Sequence, residues 1–237
     1  MKSIKIGAKD NAFVLTGAGI SVESGLPAFR SEDGLWAGHR TEDVCTPEAW
    51  DRDSWKVWKF YSERREQALK ARPNPGHVAL AEIGQKLGDR LFLCTQNVDS
   101  LHEQAGSTGI AHMHGSLFES RCEDDNCNTL PVSDLEIYKS LDDVSRCVCG
   151  AMLRPNIVFF GEIPMELTAI ERALEKATVL LAVGTSGTVT PAAHFVREAN
   201  KAGARTIYVG LEPPANASHF SEIYLGSASA LSFEIRD

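Results

Sequence analysis

Four cysteines, clustered in one segment of the chain, have the residue type and spacing of a metal site. Cys122 and Cys127 form one close pair, and Cys147 and Cys149 form a second pair after an intervening loop. Two such pairs supply the four thiolates that zinc takes in tetrahedral structural sites. The segment is rich in Asp and Asn, so a bound ion would replace the apolar core that it lacks. We expect one structural zinc ion per chain; unmetallated thiols or a redox pair are the alternative.

A polar group directly follows an apolar run. The run Leu91 to Cys94 leads into Gln96, Asn97 and Asp99, and open α/β sheets bind ligands at the carboxyl ends of their strands. Two amides and a carboxylate suit a ligand that offers a carboxamide and ribose hydroxyls. The alternative interpretation is an Asp99 helix cap with Asn97 in a turn.

A small-residue turn follows another apolar run, Asn11 to Thr16. Gly17 and Gly19 would let the backbone approach a pyrophosphate, which helix-start amides can bind. The dinucleotide fingerprint has a third glycine where this chain has Val22, so an ordinary tight turn is the alternative.

Two histidines, His112 and His114, stand two residues apart. With an ordinary pKa of ~6.5, either imidazole could take a proton from a hydroxyl group. In a strand they would face one way, which would also suit a metal, but no third ligand is near. A structural histidine is the alternative.

Tyr61 and Arg64 stand three apart in a helical pattern, hence on one face. A guanidinium beside a phenol can bind a carboxylate, and such a pair in a desolvated pocket would select an acid-bearing ligand. The alternative is a solvated arginine, or one paired with a surface acid such as Glu63.

The positioning elements alternate between strands and helices. Gly184 and Gly203 mark the ends of a strand and a helix. Such alternation predicts a parallel, doubly wound sheet. The predicted strands are Asn11 to Thr16, Leu91 to Cys94, Val179 to Val183 and Thr206 to Val209, and the predicted helices are Ser54 to Ala71, His77 to Leu87, Asp99 to Ala105, Glu166 to Ala177 and Ala192 to Ala202.

Composition excludes several classes of protein. The chain has 237 residues, 43% hydrophobic and 24% charged, which is ordinary for one large domain with an insert. Its net charge of −8 disfavours nucleic-acid binding, and no apolar run approaches the ~20 residues of a membrane span. The first residues lack a secretory signal, which predicts a cytoplasmic location.

The motifs occur together in an order that resembles the sirtuins, which are NAD-dependent protein lysine deacylases. The resemblance covers nearly the whole chain and implies a Rossmann-type NAD-binding domain, residues 1–30, 76–118 and 151–237, with a smaller domain inserted as a helical part, 31–75, and a zinc-binding part, 119–150. The motifs are Gly17 to Ser21, Glu23 to Arg30, Gly34 to Trp36, Gln96 to Asp99, His114-Gly115, the four cysteines, Phe160 to Glu162 and Gly184 to Ser186.

The resemblance also implies roles for individual residues. His114, which precedes Gly-Ser as the family's base does, would be the general base, with Asn97 and Asp99 orienting the nicotinamide carboxamide. The loop at Val158, Gly161 and Glu162 would pair with the substrate peptide. The residues implied to bind NAD are Gly17, Ala18, Gly19, Ile20, Phe29, Arg30, Trp36, Gln96, Asn97, Val98, Asp99, Gly184, Thr185, Ser186, Gly210, Leu211, Glu212 and Ala228.

Tyr61 and Arg64 match the Tyr-x-x-Arg of class III sirtuins, which implies removal of succinyl and malonyl as well as acetyl groups. NAD would be consumed, giving nicotinamide, free lysine and O-acyl-ADP-ribose. Cys45 stands where those relatives carry alanine, so we expect a trimmed acyl pocket, and Gly210 replaces the usual adenosine-ribose-binding asparagine. A non-catalytic NAD or ADP-ribose binding module and a protein ADP-ribosyltransferase are the alternatives. The oligomeric state is open, with a monomer plausible.

Overall fold

The computed structural model describes residues 3–30 and 35–236. The strands are β1 (Ile4–Gly7), β2 (Ala12–Thr16), β3 (Phe29–Arg30), β4 (Leu35–Trp36), β5 (His39–Arg40), β6 (Leu91–Thr95), β7 (Ala111–His112), β8 (Gly115–Cys122), β9 (Val132–Ser133), β10 (Leu153–Ile157), β11 (Val179–Val183), β12 (Arg205–Gly210), β13 (Glu222–Leu225) and β14 (Phe233–Arg236).

The helices are shorter on average than the sequence periodicity predicts. Asp99 lies before a helix, and the predicted helix at 192–202 begins as a 3-10 turn, Ala192–His194. The α-helices are α1 (Thr41–Val44), α2 (Pro47–Arg52), α3 (Ser54–Lys70), α4 (Pro75–Leu87), α5 (Leu101–Gln104), α6 (Leu167–Lys176) and α7 (Phe195–Lys201).

The main sheet is parallel, as the alternation predicted. Among the described residues it has six strands in the order β13-β12-β11-β2-β6-β7, and each adjacent pair is parallel. The chain runs from β2 to β6 and β7 on one side, and later from β11 to β12 and β13 on the other. The strand order therefore reverses between β2 and β11, where a doubly wound sheet opens a ligand-binding crevice.

Helices cover both faces of this sheet. On one face α4 packs Leu80 and Ile83 against Val14 and Leu181. On the other face α6 and α7 cover the alternate residues of the same strands, including Phe13 and Leu180. Because adjacent strand residues point to opposite faces, both sets of side chains leave water.

A third core joins α3 to the segment that contains the cysteines. Trp58 of α3 packs with Tyr138, their ring centroids 4.9 Å apart. The buried Arg65 binds Asp134 at 2.9 Å and donates to the Leu117 carbonyl oxygen at 2.6 Å. Such a pair is tolerated because further hydrogen bonds satisfy both ions. Helix α3 and the cysteine-containing segment, which lie far apart in the sequence, are thus packed together.

None of the helices in the described ranges combines the length and apolar character that a bilayer-spanning helix needs.

Candidate active site

A cleft of about 630 Å³ lies between the carboxyl ends of the parallel strands and helix α3. Two segments line it from strands that are adjacent at the reversal point: Gly17 to Gly19 after β2, and Gly184 to Ser186 after β11. These turns touch, since a Cβ on Gly19 would lie 2.7 Å from the Gly184 Cα. Only glycine leaves space for this approach.

The cleft gathers nearly all the predicted site residues. Ile20 is an exception, because its side chain is buried in the core and it is not among the described residues that line the cleft. The side chains of Phe29 and Arg30 lie outside the described part. The predicted residues that line the cleft are Gly17, Ala18, Gly19, Trp36, Tyr61, Arg64, Gln96, Asn97, Val98, Asp99, His114, Val158, Gly161, Glu162, Gly184, Thr185, Ser186, Gly210, Leu211, Glu212 and Ala228.

The sheet wall of the cleft is a set of polar side chains: Ser21, Gln96, Asn97, Asp99 and Thr185. The Ser21 hydroxyl donates to Asp99 at 2.9 Å and accepts from the Asn97 amide at 3.1 Å. The Gln96 amide donates to the Thr185 hydroxyl at 3.1 Å. These contacts hold each side chain in one orientation.

Asp99 lies at the cleft and next to the start of α5, where Ser100 is the N-cap residue. Its carboxylate accepts from the Leu101 backbone at 3.0 Å, at the start of α5, and it also lines the cleft. Burial raises the pKa of Asp99, although the hydrogen bonds from Leu101 and Ser21 act in the other direction. Sequence reasoning missed Ser21, whose signal was its position directly after the glycine turn.

His114 lines the cleft, and only its Nδ1 has a hydrogen-bond contact among the described residues. Its Nδ1 lies 3.1 Å from the Gln96 carbonyl oxygen, which can only accept, so Nδ1 carries the proton and Nε2 keeps its lone pair. Burial lowers the pKa of His114, and the Gln96 contact opposes this only in part. The ring is therefore neutral at neutral pH and can accept a proton.

His112 is directed elsewhere, because β7 ends at this residue and the strand alternation does not continue to His114. The expectation that both face one way is wrong. The His112 ring contacts Glu103 at 2.6 Å and the Asn97 carbonyl oxygen at 3.2 Å. Burial works to lower the pKa of His112, but Glu103 and Asn97 outweigh it and the pKa is raised. His112 is not among the described residues that line the cleft.

The helix wall of the cleft consists of Cys45, Tyr61, Arg64 and Phe159. The Tyr61 hydroxyl donates to Cys45 Sγ at 3.3 Å, and the Tyr61 ring stacks on Phe159 with centroids 6.1 Å apart. Burial raises the pKa of Cys45 to about 12 and that of Tyr61 well above its ordinary value, so both stay protonated.

Arg64 is buried with unused donors. The residue is 8% exposed, and neither Nε nor Nη1 has a hydrogen-bond partner within residues 3–30 and 35–236. Its Nη2 lies 3.7 Å from Glu63, so the surface pairing that the sequence left open is present only as a long contact. Burial lowers the pKa of Arg64, while the Glu63 charge raises it. Buried unpaired donors indicate a missing acceptor.

Glu162 lines the cleft, but its carboxylate is engaged within the protein. It accepts from Arg154 at 2.6 Å, from Arg121 at 3.2 Å and from the Phe159 backbone at 2.7 Å. The Arg154 guanidinium lies 3.8 Å from the Phe159 ring centroid. Glu162 therefore holds the turn that carries Phe159, a role that sequence reasoning did not give it.

The four cysteines converge at a distance from the cleft. Their sulfur atoms all lie within 4.8 Å of one another, with Cys122 and Cys149 at 3.5 Å and Cys127 and Cys147 at 3.7 Å. A tetrahedral site with Zn–S bonds of ~2.3 Å requires such spacings. The Thr129 hydroxyl lies 3.1 Å from the Cys127 sulfur and could support a thiolate. The cluster fits a closed, structural zinc site.

Comparisons with known proteins agree with one another. The Sir2 family model matches residues 17–191. A protein named NAD-dependent protein deacylase from Escherichia coli K12 is 46% identical over 226 residues, covering 93% of this chain and 79% of that protein. One of the same name from Pasteurella multocida is also 46% identical, covering 92% and 93%.

Solved structures show the same likeness. A Sir2 homologue in complex with NAD aligns with a TM-score of 0.84 and 38% identity, covering 94% of this chain and 86% of that one. A Sir2 protein bound to acetylated peptide aligns with a TM-score of 0.78 and 27% identity, covering 92% and 88%.

Proposed function

Because this chain belongs to the Sir2 family and is an NAD-dependent protein deacylase, we propose that it removes succinyl and malonyl groups, as well as acetyl groups, from lysine side chains of proteins. The observation that carries this proposal is Arg64, buried in the cleft with two nitrogen atoms that have no partner in the part of the chain that the structure describes. An acyl chain that ends in a carboxylate would supply the missing acceptor.

The sheet wall is proposed to hold NAD, with the parallel-sheet parts of the chain, 1–30, 76–118 and 151–237, forming the NAD-binding domain. Bound there, NAD would supply an electrophilic ribose carbon to the acyl oxygen, and with one water consumed the products would be nicotinamide, free lysine and O-acyl-ADP-ribose. Asn97 and Asp99, oriented by Ser21, would bind the carboxamide. Gln96, whose side-chain amide donates to the Thr185 hydroxyl, would hold the adjoining ribose. Since these dipoles are already oriented, binding requires little reorganisation.

His114 is proposed as the general base. Its Nε2 would accept the proton of a ribose hydroxyl, which turns that oxygen into the nucleophile that captures the acyl carbon. Burial lowers the pKa of His114 and so keeps the ring neutral before this step. The Nδ1 hydrogen bond to Gln96 would hold the ring orientation and stabilise the proton once it is taken up.

The acylated lysine would enter beside the loop at Val158 to Glu162. The Val158 backbone nitrogen donates to the His114 carbonyl oxygen at 3.0 Å, which links this loop to the proposed base. Phe160 and Ile163 expose apolar side chains there, as a surface that receives an extended peptide would. The relative solved with acetylated peptide supports acyl-lysine as the substrate class.

The test compares nicotinamide release from NAD with acetyl-, malonyl- and succinyl-lysine peptides. We expect Arg64→Met to lower kcat/KM for the succinyl peptide by roughly thirtyfold, and to change the acetyl value far less, because only the acid chain loses a charged hydrogen bond. Arg72→Met, an exposed position just after α3, is the matched control. Equal losses on both peptides would contradict the proposed role of Arg64.

A further inference from the structure

Tyr208 lies along strand β12 with its phenol over Gly210. Residues two apart in a strand share one face, and Gly210 is the last residue of β12. A Cβ on Gly210 would lie 2.7 Å from Tyr208 Cζ and 2.9 Å from Cε1, and closer still to the hydroxyl. Any other residue at 210 would therefore displace the ring, so the phenol depends on this glycine.

The only proton of the Tyr208 hydroxyl is used in a hydrogen bond within the protein. It donates to the Thr185 carbonyl oxygen at 3.2 Å, and the ring packs against Phe220 with centroids 5.5 Å apart. Burial and the charge of Glu212 raise the pKa of Tyr208 to about 12, so the phenol stays protonated. A tyrosine whose hydrogen is used can only accept further hydrogen bonds.

This acceptor faces the end of the cleft that carries Gly210 to Glu212. Tyr208, Thr185 and Gly210 all line the cleft, and the carboxylate of Glu212 offers a second acceptor on the same wall. The Tyr208 hydroxyl oxygen and the Glu212 carboxylate are two acceptors at this end of the cleft, and such a pair suits a ligand with hydroxyl donors, such as a sugar diol.

We propose that the Tyr208 hydroxyl oxygen accepts a hydrogen bond from a ribose hydroxyl in the adenosine half of NAD, and that Gly210 is required because it leaves room for the phenol. This inference rests on the proposed placement of NAD along the sheet wall. It assigns a ligand contact to a residue that no sequence motif singled out. It also explains why residue 210 is a glycine, since a glycine leaves room for the hydroxyl oxygen of Tyr208, two residues earlier in the strand.

Calorimetric binding of ADP-ribose to the full chain tests the proposal without turnover. We expect Tyr208→Phe to weaken ADP-ribose binding about tenfold, as one lost hydrogen bond would, while KM for the acyl-peptide is unchanged. Gly210→Ala should weaken binding at least as much, because its methyl group displaces the ring. Tyr224→Phe is the matched control, since the Tyr224 hydroxyl donates to Glu222 within β13 and Tyr224 is not among the described cleft residues.

Analogues of ADP-ribose that lack the adenosine 2′- or 3′-hydroxyl identify the donor. On the wild-type chain, one of these analogues should bind about tenfold more weakly than ADP-ribose. On Tyr208→Phe, that analogue and ADP-ribose should bind equally well, because the acceptor is already gone. Wild-type binding that is unaffected by both deletions would overturn the proposal even if Tyr208→Phe failed to fold. Unchanged affinity in Tyr208→Phe would overturn it while leaving NAD binding intact. A wild-type chain that does not bind ADP-ribose would overturn the proposed function as well.

Discussion

On the sheet wall of the cleft, Ser21 holds Asn97 and Asp99 in a closed set of hydrogen bonds, whereas on the helix wall Arg64 keeps two nitrogens without a partner among the described residues. The first arrangement is complete before any ligand arrives, so under the proposed function it would bind the same group of NAD in every reaction cycle. The second would be complete only when an acceptor enters, so its occupancy would depend on the acyl chain. In this proposal one wall binds a constant cosubstrate and the other discriminates between acyl groups.

The largest expected effect belongs to the histidine between the two walls. His114→Ala should lower deacylation of every acyl-peptide by about a thousandfold, because the ribose hydroxyl loses its base. Nicotinamide release under saturating NAD and peptide measures this. His112→Gln is the matched control, since that ring bonds Glu103 away from the cleft, and a comparable loss there would move the base assignment to His112.

The hydrogen bonds of the sheet wall can be removed by a substitution that leaves the side chains of the helix wall unchanged. Ser21→Ala removes the bridge between Asn97 and Asp99, and we expect kcat/KM to fall by about thirtyfold, equally for acetyl and succinyl peptides. Ser62→Ala is the control, because Ser62 is also buried and its hydroxyl has no partner within the described ranges. A loss in Ser21→Ala that differed between acyl groups would contradict the division between the walls.

The pH profile of kcat/KM sharpens the assignment of the base. A base must be neutral, so activity should fall about tenfold per pH unit below its pKa. Burial lowers the pKa of His114, which places the acid limb below pH ~6.5. Because the pKa of His112 is raised, an acid limb above pH ~6.5 would instead indicate His112.

The smallest expected effect concerns Cys45, the residue of the helix wall that is expected to trim the acyl pocket. Cys45→Ala removes the sulfur that accepts the Tyr61 hydroxyl and frees that donor for an acyl carboxylate. We expect kcat/KM for the succinyl peptide to rise about threefold relative to the acetyl peptide. Cys94→Ala removes a sulfur atom from the core beside the sheet instead. It should lower thermal stability and leave the acyl preference unchanged.

Four of the six described strands of the main sheet, β2, β6, β11 and β12, were predictable from local patterns, whereas β7 and β13 were not predicted. Apolar runs such as Val179 to Val183 and the glycine turns after them are properties of short segments, and they predicted β11 and its end at the cleft. The helix starting near Asp99 was predicted too early, because the Asp99 side chain accepts from the Leu101 backbone while Asp99 itself stays outside the helix. Capping geometry of this kind depends on a side-chain rotamer, which periodicity does not contain.

By itself the sequence determined which chemical groups are available at each site: the cysteine pairs for the metal site and, for the cleft, the amides after β6, His114, and the phenol and guanidinium on α3. Tertiary structure alone decided how those groups are used. It directed Glu162 to Arg154, left Nε and Nη1 of Arg64 without a hydrogen-bond partner among the described residues, and placed the Tyr208 ring over Gly210. Types and spacings are encoded along the chain, but hydrogen-bond partners and burial arise between segments far apart in sequence, and only packing brings these together.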